Sequence, residues 1–384
     1  MHKVLYIDLE NCTGGTSRSL YHLVKYLDRS QVEPHVFSPK SGPNVEMYRA
    51  LGVPLHIEPD LPTLPSNRRN NWYSAAWFLL KFPRYIGPIR RILAYVREHG
   101  ITLIHINHTN FFALAYVLKK LTSLPVVMHV RTRMYVNAWS RVYARIMQRA
   151  TDFYIFITEM EKERLLDHFV CELPPHAVLY NISEYYEVDD SEVPVALPAG
   201  KFLVISLKNI RYVNGIDRIV EVAAALAPLN RDVVFVICGK VQHEHVRQKV
   251  VDETARLGLE DMILLAGFQD RPEKLLQKCH ALINVHRRKC PWGRDVIESL
   301  TYGKPAVAVG EFDTFIRPGR TGYLFPEFDP QAMAQAISGL ASDPERYAAM
   351  SASCTSLARE LFDGPGQSAK LLAVYDKVSS NGAD

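Results

Sequence analysis

Residues 286–300 read HRRKCPWGRDVIESL, a run in which Arg288, Lys289 and Arg294 flank Gly293 and a carboxylate follows at Glu298. The glycine stands where a strand gives way to a helix. Backbone N–H groups at a helix start are unpaired, and the macrodipole adds about half a positive charge there, so phosphate suits such a turn. A solvated basic turn would use the same residues. Glu298 falls on the following helix, where a carboxylate can accept hydrogen bonds from both hydroxyls of a ribose. Cys290 is open to a second reading, as a nucleophile activated by Arg288, Lys289 and the helix start.

Other stretches carry comparable chemistry. SLKNIRYVNGIDRIV sets Lys208, Asn209, Arg211 and Asn214 between a strand and a helix. Its cations can meet a diphosphate, or it is an exposed basic loop. NCTGGTSRSL puts Gly14 and Gly15 before a helix whose first turn holds Thr16, Ser17 and Arg18. It suits a phosphate or sugar, and equally a tight turn with Thr16 as N-cap. LIHINHTN closes a buried strand with His105, Asn107, His108 and Asn110, and VMHVRTRM adds His129, Arg131 and Arg133 at the next strand end. Side chains that both donate and accept suit hydroxyl-rich ligands, whereas a zinc site would need nearby acids or thiols at ligand spacing. Packed polar residues at strand ends are the plainer reading of each histidine alone.

The elements that position these residues follow one grammar twice. KVLYID, VEPHVFS, LIHIN, PVVMHV and DFYIFIT are apolar runs, with Leu20, Leu23, Val24 and Leu27 at helical spacing after the first. The acids and prolines of residues 185–200 then interrupt the pattern as a linker. FLVISL, VVFVICG, MILLAGF, ALINVH and PAVAVG resume it. Continuous apolar runs alternating with helices predict two Rossmann-like doubly wound α/β domains, 1–184 and 201–365, facing one cleft. A last helix, 366–384, is expected to cross back to the first domain. Ligands bind outside the carboxyl ends of such strands, where all the candidate turns lie.

At 384 residues two domains are natural, and 48% hydrophobic with 22% charged residues fits a globular protein. Six cysteines, at positions 12, 171, 238, 279, 290 and 354, show no metal spacing and no short secreted framework, so reduced thiols in the cytoplasm are expected. MHKVLYIDLE is a strand, its short apolar run broken by Asp8 and Glu10. No run reaches the roughly 20 apolar residues of a membrane span. The net charge of +4 is uneven: Trp72, Tyr73, Trp77, Phe78 and Phe82 lie among Lys81, Arg84, Arg90, Arg91 and Arg97. That composition suits an interfacial helix on the inner face of an anionic membrane, or an ordinary helix with a basic exposed face.

Taken together, the chain resembles the family-4 retaining glycosyltransferases of the GT-B fold over nearly its whole length. GGTSRSL is similar to the family's Gly-Gly loop, IHIN to its His-x-His strand end and VNGIDRIVEV to its KGID helix. VICG, ending on Gly239, LLAGF, CPWGRDVIESLTYGKPAVA and RTGYLFPEFDPQAMAQAI also resemble family segments. The resemblance implies sugar transfer from a nucleotide-sugar co-substrate with retention, without cofactor or metal. It places the nucleotide on the second domain, at Lys208, Asn209, Arg211, Asn214, Gly239, Arg288, Gly293, Arg294 and Glu298. The acceptor, lipid-linked or a polysaccharide, falls on the first, at Gly14, Gly15, Arg18, His105 and Arg131. Cys290, Glu298, Asn107 and His108 take the catalytic positions. No nucleic-acid partner is expected. Four positions depart from the family: Cys290 replaces the sugar-reading Glu, Asn209 and Asn214 replace the diphosphate-binding Arg and Lys, and Asn107 replaces the second His. An altered donor, or a relative that binds without turnover, would each produce such departures.

Overall fold

The computed structural model describes residues 1–12, 14–65, 72–131, 138–166, 174–187, 195–269 and 271–380. Arg133, Cys171 and residues 188–194 of the expected linker lie outside these residues. The chain divides into two compact units, Met1–Ile182 with Gly364–Asp384, and Ser183–Asp363.

Unit 1 runs β1 (His2–Ile7), α1 (Gly15–Lys25), β2 (Val32–Ser38), α2 (Pro43–Ala50), β3 (Leu55–Ile57), α3 (Trp72–Leu80), α4 (Phe82–His99) and β4 (Leu103–Ile106). It continues with α5 (Phe112–Thr122), β5 (Val126–Val130), α6 (Ala138–Ala150), β6 (Phe153–Phe156), α7 (Glu159–Leu166) and β7 (His176–Val178). Its seven strands are ordered β3-β2-β1-β4-β5-β6-β7, and every pair is parallel. β4 and β5 are buried along their whole length, as their largely apolar runs, broken by His105 and His129, require when helices cover both faces.

Unit 2 runs β8 (Phe202–Ser206), α8 (Ile216–Leu226), β9 (Val233–Cys238), α9 (Glu244–Arg256), β10 (Ile263–Gly267), α10 (Glu273–Lys278) and β11 (Ala281–Asn284). Then come α11 (Arg294–Thr301), β12 (Ala306–Val309), β13 (Gly322–Phe325), α12 (Pro330–Ser342) and α13 (Pro344–Leu361). The six strands are parallel in the order β10-β9-β8-β11-β12-β13. Asp329 and Asp343 cap α12 and α13, each accepting a backbone N–H of the first turn.

α14 (Gly364–Ser380) closes the chain within unit 1. Leu371, Val374, Tyr375 and Val378 share a core with Leu20, Leu23 and Val24 of α1. Burying each such aliphatic side chain stabilises the fold by roughly 1.5–3 kcal/mol. The helix begins two residues before the Gly366 start expected from the sequence. Pro365 sits in its first turn, where a missing N–H costs nothing. The first boundary also falls earlier than expected, at 182/183. Tyr186 offers its backbone N–H and C=O to the Tyr302 hydroxyl, both at 3.0 Å, which ties that stretch into unit 2. The edge strands β3, β7 and β13 were not among the expected strands, because three or four partly exposed residues leave little periodic signal.

In both sheets the strand order reverses beside the first strand, between β1 and β4 in unit 1 and between β8 and β11 in unit 2. The turns leaving those four strands in opposite directions open a crevice at their carboxyl ends. One glycine fixes the unit 2 crevice. Gly215 has φ +73°, and a Cβ there would lie 2.2 Å from the Val285 carbonyl oxygen. Gly215→Ala therefore combines a left-handed backbone with a backbone clash, and should cost ~2 kcal/mol or more, read as a lower urea midpoint.

Candidate functional site

In unit 2 the turns after β8 and β11 are stitched together by charge. Arg287 forks onto both oxygens of Asp217, at 2.8 Å each, and Lys249 adds a contact at 2.9 Å. Burial would raise the Asp217 pKa, but these hydrogen bonds and charges outweigh it and hold the carboxyl down at about 2. Lys208 Nζ meets Asp295 Oδ1 at 2.8 Å against the start of α11, and Asn284 Nδ2 reaches the other Asp295 oxygen at 3.3 Å. Gly293 is the N-cap of α11, and a Cβ there would crowd Asp295 and Lys208. Gly239 likewise admits the Lys208 carbonyl, which would lie 2.2 Å from a Cβ.

The two asparagines at the family's cation positions fasten this loop. Asn209 Oδ1 accepts the Lys240 N–H at 3.1 Å, and Asn214 Nδ2 donates to the Asn209 carbonyl at 2.7 Å. Arg211 and Arg288 are exposed beside them. Burial, then the charges of Lys208, Arg211 and Arg288, push the His286 pKa down to about 3. The neutral ring accepts the Arg288 N–H at its Nδ1, 3.0 Å away. Cys290 is half-buried, with its thiol directed at the Arg288 carbonyl at 3.3 Å. Glu298 Oε1 receives both Nε and Nη2 of Arg294, at 3.0 and 2.9 Å, one turn earlier on α11. The crevice thus gathers Lys208, Arg211, Arg288, Cys290, Gly293, Arg294 and Glu298 around two strand ends. Gly239, Asn209 and Asn214 shape it.

In unit 1 the expected acceptor residues form a buried chain. Asn107 donates to Asp8 Oδ1 at 2.7 Å and accepts from Arg131 Nε at 2.7 Å. Arg131 also reaches Asn181 Oδ1 at 2.6 Å and His129 Nδ1 at 3.2 Å. Burial pushes the Asp8 carboxyl above its usual range, against the hydrogen bonds of Ser17 and Asn107. His105 and His108 are lowered to about 3 and about 4, by burial and then by Arg131. His108 Nδ1 caps the short turn Thr109–Phe111. His105 and Asn107 have no exposed surface, and His108 is nearly as deep. Gly14, not Thr16, is the N-cap of α1. Gly15 opens that helix, and Arg18 lies half-buried on its first turn. Among the described residues no cluster of His, Cys, Asp or Glu is set to hold a metal ion.

Two family matches divide along these units. Residues 13–182 match Glycosyltransferase Family 4, and residues 188–355 match Glycosyl transferases group 1. The chain is a family-4 glycosyltransferase of the GT-B fold. It is 24% identical over 283 residues to the lipopolysaccharide core biosynthesis mannosyltransferase LpcC of Rhizobium leguminosarum bv. viciae, covering 71% of this chain and 78% of that protein. It is 27% identical to the corresponding LpsB of Rhizobium meliloti over 50% of this chain and 56% of that one. Among solved structures, Anabaena HepE in complex with UDP superposes with a TM-score of 0.76 at 17% identity, covering 98% of this chain and all of that one. Sucrose-phosphate synthase from Thermosynechococcus elongatus gives 0.76 at 16% identity over 99% and 100%.

Several groups of this glycosyltransferase escaped the sequence. Asp295, two residues after Gly293, had a legible signal as an acid in a helix's first turn. Asp8 and Asp217 read as ordinary strand-end and helix-start acids, and Tyr375 lies in a helix far from every motif. Because the folded Asp217 pKa lies below its usual 3.8, its contribution is present above about pH 4 and is lost as pH falls toward 2. Asp217→Asn should cost ~2 kcal/mol at pH 7 in urea titrations, with the difference from wild type shrinking below pH ~4.

Proposed function

We propose that this enzyme is a retaining hexosyltransferase that moves a sugar from a nucleoside-diphosphate donor in the unit 2 crevice to a lipopolysaccharide-core-type or other lipid-linked glycan. The observation that carries this reading is the placement of Lys208, Arg211 and Arg288 with the α11 N-terminus and Glu298 at one switch point. Glu298 takes the ribose hydroxyls, and the cations with the Gly293 turn take the diphosphate. As the glycosidic bond breaks, charge develops on the β-phosphate, where the same groups stabilise it. The acceptor hydroxyl attacks from that face and passes its proton to the departing phosphate oxygen, so no protein nucleophile is needed. The mannosyltransferase names of the two rhizobial relatives favour a core saccharide as acceptor.

Cys290 suits a donor with a different hydroxyl pattern from the one its family's glutamate reads. A thiol offers weaker hydrogen bonding than a carboxylate. A silent binding protein is the second reading, favoured by Asn209 and Asn214 serving the loop itself. The test is transfer from GDP-mannose, UDP-glucose and related donors to deacylated lipopolysaccharide core. We expect product with one donor, most of the rate kept in Cys290→Ser, and a loss of ~1.5–3 kcal/mol in nucleotide binding in Glu298→Ala. Nucleotide binding with neither transfer nor hydrolysis would establish the silent reading.

We further infer that α3 rests on the inner face of an anionic membrane. No residue of α3 is buried, and Trp72, Leu79 and Leu80 expose 65%, 68% and 71% of their surface. Lys81 stands 5.6 Å from the Trp77 ring, and Arg90 is exposed on α4, while Arg84 and Arg91 pair with Asp60 and Glu58. Apolar side chains next to cations suit a headgroup boundary. No described helix is long and apolar enough to cross a membrane. The protein should co-sediment with phosphatidylglycerol vesicles at low salt, and Leu79→Ser with Leu80→Ser should release it. Equal sedimentation with purely zwitterionic vesicles, or none at all, would remove the inference.

A further inference from the structure

The unit 2 crevice lies at the carboxyl ends of β8 and β11, and at the opposite, amino end of the same sheet a tight turn holds two arginines together. Arg317-Pro318-Gly319-Arg320 stands just before β13. The Arg320 N–H is donated to the Arg317 carbonyl at 3.0 Å, and Gly319 has φ +74°. Proline second and a left-handed glycine third is the pattern of a type II turn, whose first and last Cα atoms lie within about 7 Å. Thr321, 2% exposed, locks the turn in place. Its Oγ1 accepts the Arg317 N–H at 2.7 Å and donates to the Phe315 carbonyl at 2.9 Å, while its own carbonyl accepts from the Cys354 thiol of α13 at 3.5 Å.

Arg317 and Arg320 line a cavity of about 300 Å³ together with Ser353, Ser356 and Glu360 of α13. Other cations of unit 2 are answered by acids at hydrogen-bond distance, as Arg287 is by Asp217, Lys208 by Asp295 and Arg231 by Asp261. These two are not. Among the described residues the Arg320 side chain has no hydrogen bond or ion pair, and Arg317 has only Glu360, whose carboxylate at 4.0 Å is beyond hydrogen-bond reach. Like charges held in one cavity repel unless an anion lies between them. Ser353 donates its proton to the Ala349 carbonyl at 2.9 Å, whereas the Ser356 hydroxyl has no such partner. Each guanidinium presents a planar fork for two oxygens. Two forks and a hydroxyl suit a tetrahedral oxyanion, since a planar carboxylate is filled by one fork alone.

We propose that this cavity binds the phosphate group of a phosphomonoester, carried by a lipid headgroup or by a small soluble ester. Arg317 and Arg320 take its oxygens, and Ser356 donates a further hydrogen bond. Glu360 turns to solvent, where 62% of its side chain already lies. The turn is fixed by its own backbone and by Thr321, so little ordering opposes binding. The site shares no residue with the unit 2 crevice and does not rest on the activity proposed for it.

Phenylglyoxal modification of the full chain, mapped by peptide mass spectrometry, reads each arginine without any substitution. Inorganic phosphate at about 20 mM should slow modification of Arg317 and Arg320 by roughly threefold or more relative to sodium chloride of equal ionic strength, and leave the exposed Arg90 unchanged. In Arg320→Gln, phosphate should no longer protect Arg317. In Glu360→Gln, the concentration that protects both should fall, because the competing carboxylate is gone. Glycerol 3-phosphate and dihexanoyl phosphatidate separate the two sources: equal protection marks a soluble ester, and protection by phosphatidate at a much lower concentration marks a lipid headgroup. Protection of neither arginine, the same slowing at Arg90, equal protection by chloride, or undiminished protection of Arg317 in Arg320→Gln would each overturn the proposal.

Discussion

A parallel sheet covered by helices on both faces leaves few places for a side chain to meet a ligand. The strand ends are one, and the point where strand order reverses is the most open of them. Both sheets here reverse beside their first strand, between β1 and β4 and between β8 and β11. That arrangement decides where the chemistry can be. The Gly14–Gly15 turn and the Asn107–His108 end leave one crevice, and the Lys208–Asn214 loop and the Cys290–Glu298 turn leave the other.

The two crevices meet that constraint differently. In unit 2 the cations are held near the surface by acids that the motifs do not advertise, Asp217 under Arg287 and Asp295 under Lys208. In unit 1 the polar groups are drawn inward: Arg131 binds Asn107 and His129, and His105 binds Tyr375 of the last helix. Buried polar groups of this kind give little stability for their cost.

What the sequence made legible was what depends on neighbours along the chain. Periodic apolar runs gave the long strands, and Gly293 with Glu298 marked the helix start because both lie in one segment. The short edge strands were hidden because three residues hold no period. Tyr375 was hidden for another reason: its contacts with Tyr6 and His105 join positions separated by hundreds of residues. Asn209 and Asn214 could be recognised as departures from a family pattern, but their use as loop fasteners appears only once their amides are seen on neighbouring backbone. The depth of His105 was hidden because a histidine at a strand end reads the same whether it faces the crevice or the core.

The Lys208–Asp295 pair gives the unit 2 crevice a resident counterion. A diphosphate bound at Lys208 as proposed would not meet a bare cation; it would trade places with, or share, an anion already held by the chain. Entry is then closer to an exchange of one anion for another than to neutralisation of open charge. Fewer mobile salt ions are displaced by such an exchange than by binding to the same number of unpaired cations, so this part of the crevice is partly insulated from the ionic strength around it.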